Sequence, residues 1–473
     1  MIAPGLVAVC LTGLSTRERF LGSMLFFTIA WSIAFPWNAF HPVPATAVSS
    51  VVALFCMITL LSALSIGLSM LEKKNRILPT AVLYFSGIYA WDFLMMKGPM
   101  AMPGTMLGLS VSDSILATIW APIVGSVGLT ALVLAFNFAW IVALAPATNT
   151  MQKRIGIVLY STCAIFLPMG LLPNFEVGES RLNVVVIQPG SSPEEWAEVD
   201  DSGKIDSLLA LLFQAKAEFP EATLFILPET ALPILDPIAL ASTMALWSDS
   251  LQANVLTGGI LKENSTFYNI AALDQPVLKQ DTSSTQPTPP WTYRKRRLIP
   301  FVESVPYGEL LPFSDHFLLS SGGVSAYEAG TELGITSVAE VKIGVMICFE
   351  SFFPSDASDL REAGSDVLVV LTQDGWWRSN QAKQQHEHYT RLLALSSGIP
   401  IIQASVDGIS AIWDGKANEI GRTDTFGRAF LHASVPLNTR STPYQKLGDP
   451  FWFILWMLGT SLYLFKIKSF SSF

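Results

Sequence analysis

Cys348 closes the apolar run Lys342 to Ile347 and is followed by Phe349 and Glu350, which sets a thiol and a carboxylate at the carboxyl edge of a predicted strand. Upstream lie an acid-bearing turn, Leu227 Pro228 Glu229 Thr230, and a basic run, Tyr293 Arg294 Lys295 Arg296 Arg297. A free thiol has a pKa near ~8.5 and needs a base or a cation beside it to act as a nucleophile at neutral pH. Glu229 can take the thiol proton and later hand one to a leaving group. Lys295 can offer a fixed positive charge to the oxyanion of a tetrahedral intermediate, a contact worth about 3 to 4 kcal/mol. Singly, these residues have plainer uses: a packed cysteine, a turn cap, a solvated basic face. Their joint occurrence in the order Glu, Lys, Cys, each beside a strand signal, points to covalent acyl transfer.

The elements that must hold these groups are short and β-rich. Val184 to Gln188, Leu224 to Leu227, Val255 to Gly258, Ile343 to Ile347, Val367 to Leu371 and Ile399 to Gln403 read as buried strands bounded by turn residues such as Pro189, Pro228 and Gly259. Lys204 to Glu218 and Gln381 to Ser397 read as helices, which predicts an α/β domain with helices layered over a sheet. The reactive residues then fall just past strand ends, where ligands gather in such folds. Gln280 to Pro290, rich in Thr, Ser, Gln and Pro, reads as a flexible loop.

The rest of the chain is of another kind. Hydrophobic residues make up 51% of 473 residues and charged residues 14%, too apolar for an ordinary soluble protein. Apolar runs extend over Ile2 to Leu14, Phe20 to Phe40, Ala45 to Leu71, Leu78 to Met96, Ile115 to Leu144, Ile155 to Leu172 and Phe451 to Phe465. Most approach the ~20 residues that a helix needs to cross a bilayer. The first is short and lacks a basic leader and a small-residue cleavage site, so it reads as a marginal or re-entrant span rather than a signal peptide. If every run crosses, Arg17 and Arg19, Lys73, Lys74 and Arg76, Lys153 and Arg154, and Lys466 and Lys468 share one side, the cytoplasm by the positive-inside rule. The hydrophilic stretch then faces the opposite side, which in a bacterium means the periplasm, beyond the inner membrane, or the outer surface. The expected organisation is a multi-pass helical bundle over 1–174 with about six spans, a catalytic domain over 175–449, and a C-terminal helix with a short tail over 450–473.

Three segments carry a family resemblance: Leu227 to Pro233, Tyr293 to Pro306, and Gly344 to Glu350. With Tyr268 Asn269, Asp374 Gly375 Trp376 Trp377, Thr442 Pro443 Tyr444 and the membrane segment Trp120 to Gly125, they resemble bacterial apolipoprotein N-acyltransferases, membrane members of the nitrilase superfamily. The resemblance implies an α/β nitrilase-type αββα sandwich on a transmembrane bundle. It implies Glu229 as general base, Lys295 as oxyanion stabiliser and Cys348 as the nucleophile that becomes a thioester. It further implies Glu303, Glu350 and Phe349 as supporting residues, and Trp196, Tyr268, Asn269, Trp376 and Trp377 as substrate-binding ones. The implied partners are a phospholipid acyl donor, a diacylglyceryl lipoprotein acceptor and membrane lipid, served by a monomer. Two positions depart from the family pattern, Phe349 where Tyr is usual and Val302 where Gly is usual, and both bear on the acceptor. A conjugal-transfer protein of the TraB type, catalytic on another acceptor or not catalytic at all, and a membrane-anchored amidase or nitrilase are the alternatives.

Other signals are weaker. The net charge of -9, with acidic residues clustered around Glu194 to Asp201, disfavours nucleic acid. No cofactor is expected, since no phosphate-binding loop or dinucleotide fingerprint stands out. His386 and His388 bracket Glu387, but residues two apart on a helix diverge, so no metal site is expected there.

Overall fold

The computed structural model describes residues 3–36, 44–72, 76–144, 180–192, 195, 198–276, 288–310, 327–437 and 441–470. The predicted span Ile155 to Leu172, Trp196 and most of the loop Gln280 to Pro290 lie outside them. The chain divides into two compact units, Met1–Pro173 with Thr442–Phe473, and Asn174–Ser441.

The first unit is helical: α1 (Ala3–Leu11), α2 (Thr16–Ala34), α3 (Pro44–Ser69), α4 (Ile77–Leu94), α5 (Ile115–Leu144) and the C-terminal helix Pro443–Phe470. A capping box starts α2, with the Ser15 side chain and Glu18 each satisfying the other's backbone N–H. Among the described residues, Ile77–Leu94 and Ile115–Val142 are long and apolar enough to cross a membrane. Within α5 the helix breaks at Gly125, whose φ of 66° suits glycine. A side chain there would collide with the ring of Tyr444, its Cβ only 2.2 Å from Cε2. Two segments far apart in sequence, Trp120 to Gly125 and Thr442 to Tyr444, thus meet.

Among its described residues the second unit holds two sheets. The first orders its strands β13-β1-β2-β4-β5-β6, with β3 also paired to β4; the second runs β12-β11-β10-β9-β8-β7. The strands are β1 (Arg181–Gln188), β2 (Leu224–Ile226), β3 (Ile234–Leu235), β4 (Asn254–Glu263), β5 (Thr266–Asp274), β6 (Trp291–Arg294), β7 (Ile335–Val338), β8 (Val341–Ile347), β9 (Val367–Thr372), β10 (Ile401–Ser405), β11 (Ala411–Trp413), β12 (Glu419–Arg422) and β13 (Ala429–Pro436). Strands β1, β2 and β4 are parallel to one another, as are β8, β9 and β10.

Side-chain alternation separates the layers. Val184, Val186, Leu224 and Ile226 share a core with Ile343, Val345, Ile347, Val367, Val369 and Leu371 of the facing sheet. Their neighbours Val185, Ile187, Phe225 and Leu227 turn outward to pack with Leu208 and Leu212 of α6 (Asp201–Glu218) and Met244 and Trp247 of α7 (Pro237–Leu251). Over the second sheet lie α8 (Pro354–Glu362) and α9 (Asn380–Ser397), giving four layers in the order αββα. The strands and helices predicted from periodicity match β1, β2, β4, β8, β9, β10, α6 and α9. Helices α7 and α8 and strands β3, β5 to β7 and β11 to β13 are additional to them.

Candidate active site

Glu229 follows β2 in a turn whose next residue, Thr230, has a φ of 50°. The turn rests directly on β4. A Cβ on Gly258 would lie 2.5 Å from both Glu229 Cα and Pro228 O, so only glycine lets the two backbones approach this closely. Lys295 follows β6, where its backbone N–H donates to Asn269 O of β5 at 2.8 Å. The β5–β6 pairing therefore sets the lysine beside Asn269. Cys348 follows β8 and opens the 3-10 turn Cys348–Phe352 with a φ of 46°. Non-glycine residues in that region store about 1 to 3 kcal/mol of strain and cluster at functional sites.

These turns converge on one buried polar cluster. Lys295 Nζ donates to Glu229 Oε1 at 3.1 Å and to Glu303 Oε1 at 2.8 Å, with the lysine only 1% exposed. Asn269 Nδ2 donates to the same two oxygens at 2.8 and 3.3 Å. The remaining oxygens are also satisfied: Gln373 N–H donates to Glu229 Oε2 and Ile299 N–H to Glu303 Oε2, each at 2.8 Å. Glu229 thus accepts from three segments, β5, the residue after β6 and the turn after β9, which fixes its rotamer.

The charges acting on the Cys348 thiol come from this cluster and from the buried Asp374. Burial pushes its pKa well above the ordinary range, the Glu229 carboxylate pushes further, and Lys295 opposes both. Burial alone would lower the Lys295 ammonium, but Glu229 and Glu303 outweigh it and hold the pKa well above the ordinary lysine value. The resting site therefore pairs a neutral thiol with an ammonium between two carboxylates. A thiol in that state can attack only as its proton leaves, and the arrangement offers the Glu229 carboxylate, held in a fixed orientation, as a group able to accept it.

Glu350 does a different job. Its Oε1 accepts from Tyr293 OH at 2.7 Å and from Arg296 N–H and Arg297 N–H at 2.7 and 3.2 Å, while Oε2 accepts from Ile347 N–H at 2.7 Å. It ties the Cys348 turn to the segment that carries Lys295. Phe349 is buried against Phe352 and Phe353, with ring centroids 5.9 and 5.3 Å apart.

The other site residues expected from sequence are dispersed. Tyr268 sits one residue from Asn269, so it faces the other side of β5, where it accepts the Arg294 guanidinium on its ring at 4.1 Å and donates to Glu328 at 3.3 Å. Trp376 and Trp377 are half-buried in and after the turn Asp374–Trp376. His386 is buried, and its partners are Asp374, Ser351 and, at 3.4 Å, the Thr372 hydroxyl rather than His388. Gln373 does not stand out in the sequence, because its contribution is a backbone N–H that any residue type except proline could supply.

The carbon-nitrogen hydrolase family profile matches residues 184–443. Over 462 residues the chain is 25% identical to the apolipoprotein N-acyltransferase of Chlorobaculum tepidum, covering 92% of this chain and 84% of that protein. It is 27% identical over 437 residues to the apolipoprotein N-acyltransferase of Photobacterium profundum, covering 89% and 81%. Among solved structures, the carbon-nitrogen hydrolase from Helicobacter pylori G27 aligns with a TM-score of 0.40 and 14% identity over 57% of this chain and 94% of that one.

Proposed function

The chain belongs to the carbon-nitrogen hydrolase family, and from that membership we propose that it is a membrane N-acyltransferase that completes lipoprotein N-acylation through a Glu229, Lys295 and Cys348 triad. What carries this reading is similarity to relatives of that activity running almost end to end, helical unit included. That extent favours acyl transfer over the amidase and conjugal-transfer alternatives.

In the first half-reaction the Cys348 sulfur attacks an ester carbonyl of a phospholipid while Glu229 takes the thiol proton. Lys295 faces the oxyanion that forms. Collapse breaks the carbon–oxygen ester bond, Glu229 returns the proton to the leaving lysophospholipid, and a thioester remains on Cys348. In the second, the α-amine of a diacylglyceryl-cysteine attacks the thioester, Glu229 takes the amine proton, the carbon–sulfur bond breaks, and the proton returns to the thiolate. Glu303 keeps Lys295 in place by sharing it with Glu229. Trp196, Trp376 and Trp377 are assigned to substrate binding, and Phe349 and Val302 to acceptor preference.

The organisation that suits this chemistry is a helical region over 1–174, a catalytic region over 175–449 and a helix over 450–473, in an inner membrane with the catalytic region periplasmic. Leu21, Leu25, Ile29 and Ile33 form an exposed apolar stripe at four-residue spacing on α2, and Ile454, Leu458 and Leu462 form another on the C-terminal helix, as lipid-facing surfaces require.

The test is intact mass spectrometry of the purified protein after incubation with phospholipid alone. A hydroxylamine-sensitive acyl adduct on Cys348, absent in Cys348→Ser and discharged onto the amine of an added diacylglyceryl lipopeptide, is the expected result. Release of free fatty acid without transfer to the lipopeptide would overturn the assignment in favour of a hydrolase.

A further inference from the structure

A second buried polar array adjoins the triad without belonging to it. Asp374 is fully buried, and its Oδ1 accepts from Thr372 Oγ1 at 2.8 Å and from His386 Nδ1–H at 2.7 Å, while Oδ2 accepts from Ser405 Oγ at 3.2 Å. His386 Nε2 lies 2.9 Å from Ser351 Oγ. A carboxylate at Nδ1 favours the tautomer protonated there, which leaves Nε2 to accept the Ser351 hydroxyl proton. The ring cannot turn away: it stacks on Phe352 at 5.1 Å, nearly parallel, and meets Trp377 edge-on at 5.7 Å.

Each end of the array is attached to a group of the proposed reaction. Gln373, the neighbour of Asp374, donates its N–H to Glu229 Oε2 at 2.8 Å. Ser351 lies in the turn that opens with Cys348 and its φ of 46°. Strands β8 and β9 are parallel neighbours, so their spacing is set by the sheet, but the sheet does not set how the two turns beyond them lie. The side chains of Asp374, His386 and Ser351 span that gap.

We infer that Asp374, His386 and Ser351 form a positioning bridge that holds the nucleophile turn at a fixed distance from the base Glu229. The inference rests on the triad reading above. None of the three residues touches the reacting atoms; they act through the turns they join, and the buried Asp374 charge, with those of Glu229, Glu303 and Lys295, also reaches the Cys348 thiol. Loss of the bridge lets the strained Cys348 turn relax away from Glu229, and misplacement of about 1 Å costs on the order of 10²-fold in rate.

The deciding variant is Ser351→Ala in the full-length protein, with His386→Gln as a second. Two rates are read: thioester formation from phospholipid, and alkylation of Cys348 by iodoacetamide across pH. Ser351→Ala is expected to lower kcat for thioester formation at least ~10-fold with KM for phospholipid unchanged. Its alkylation should be slower than wild type at neutral pH, where Glu229 must accept the proton, and should converge on wild type as rising pH ionises the thiol without help. The double variant should be no worse than the poorer single one, since both break the same bridge. Wild-type kinetics in Ser351→Ala, or an equal loss of alkylation at every pH with a lowered melting temperature, would overturn the bridge and leave only a packing role. If the wild-type protein forms no adduct with phospholipid, the acyl-transfer reading fails on its own, and the alkylation profiles still decide the bridge.

Discussion

Lys295 places one positive charge between two carboxylates, so removing it reverses the balance of the site. In Lys295→Met the Glu229 and Glu303 oxygens would share only the Asn269 amide while repelling each other. Breaking a buried ion pair from one side costs about 3 to 5 kcal/mol, and loss of an oxyanion contact costs about 10²- to 10³-fold in rate. Thioester formation should fall by that factor, and the melting temperature should drop with it; a stable, fully active variant would contradict the assigned role. The thiol makes a separate statement about pH. Burial and Glu229 hold Cys348 protonated above the ordinary thiol value of about 8.5. Across the alkaline window that opens there, the unfolded chain releases its proton and the folded chain keeps it. The folded state then binds more protons, so stability falls as pH rises. Cys348→Ala removes that contribution, and its melting temperature should decline less steeply than that of wild type between about pH 8 and 10. Equal slopes would show that the thiol is not held neutral.

At the scale of the element, the Glu229 turn depends on a close approach of two backbones. Gly258→Ala introduces a Cβ that meets backbone on the Glu229 turn, not a side chain that could swing aside. It should cost about 1 to 3 kcal/mol of stability and on the order of 10²-fold in thioester formation, both measurable on the purified variant. An active Gly258→Ala would mean that the turn can shift without moving the carboxylate. Which elements could be read from sequence follows the same physics. Strands β1, β2, β8 and β9 are buried on both faces, so they appear as unbroken apolar runs such as Val184 to Ile187. Strand β12, Glu419–Arg422, is a largely exposed edge with no such run, and β5 carries Tyr268 and Asn269 among its apolar residues, so its period is blurred. Helix α7 was legible in principle: Asp236 caps it by accepting from Ile238 N–H and Ala239 N–H, and Pro237 follows as its first residue. Glu229, Lys295 and Cys348 stand out by type at strand ends. The Asn269 contacts to both carboxylates require the β5–β6 register, and His386 draws its partners from two separate turns, which spacing along one helix cannot disclose.

For the whole molecule, the arrangement across the membrane is the feature open to direct test. With the catalytic region periplasmic, a membrane-impermeant thiol reagent applied to cells with a permeabilised outer membrane should label Glu198→Cys above the wild-type background and leave Arg17→Cys unlabelled, both positions being exposed. The reverse pattern would invert the topology. The pairing of β1 with β13, unbroken from Arg181↔Pro436 to Gln188↔Ala429, has a bearing on how such a protein is made. The first described strand of the second unit takes as its partner the last one described. Until β13 has left the ribosome, β1 keeps one edge unpaired, and contacts this distant in sequence form slowly. The second unit therefore cannot finish folding piecemeal during synthesis. It waits, with an open sheet edge exposed to proteases and chaperones, for the arrival of its own final strand.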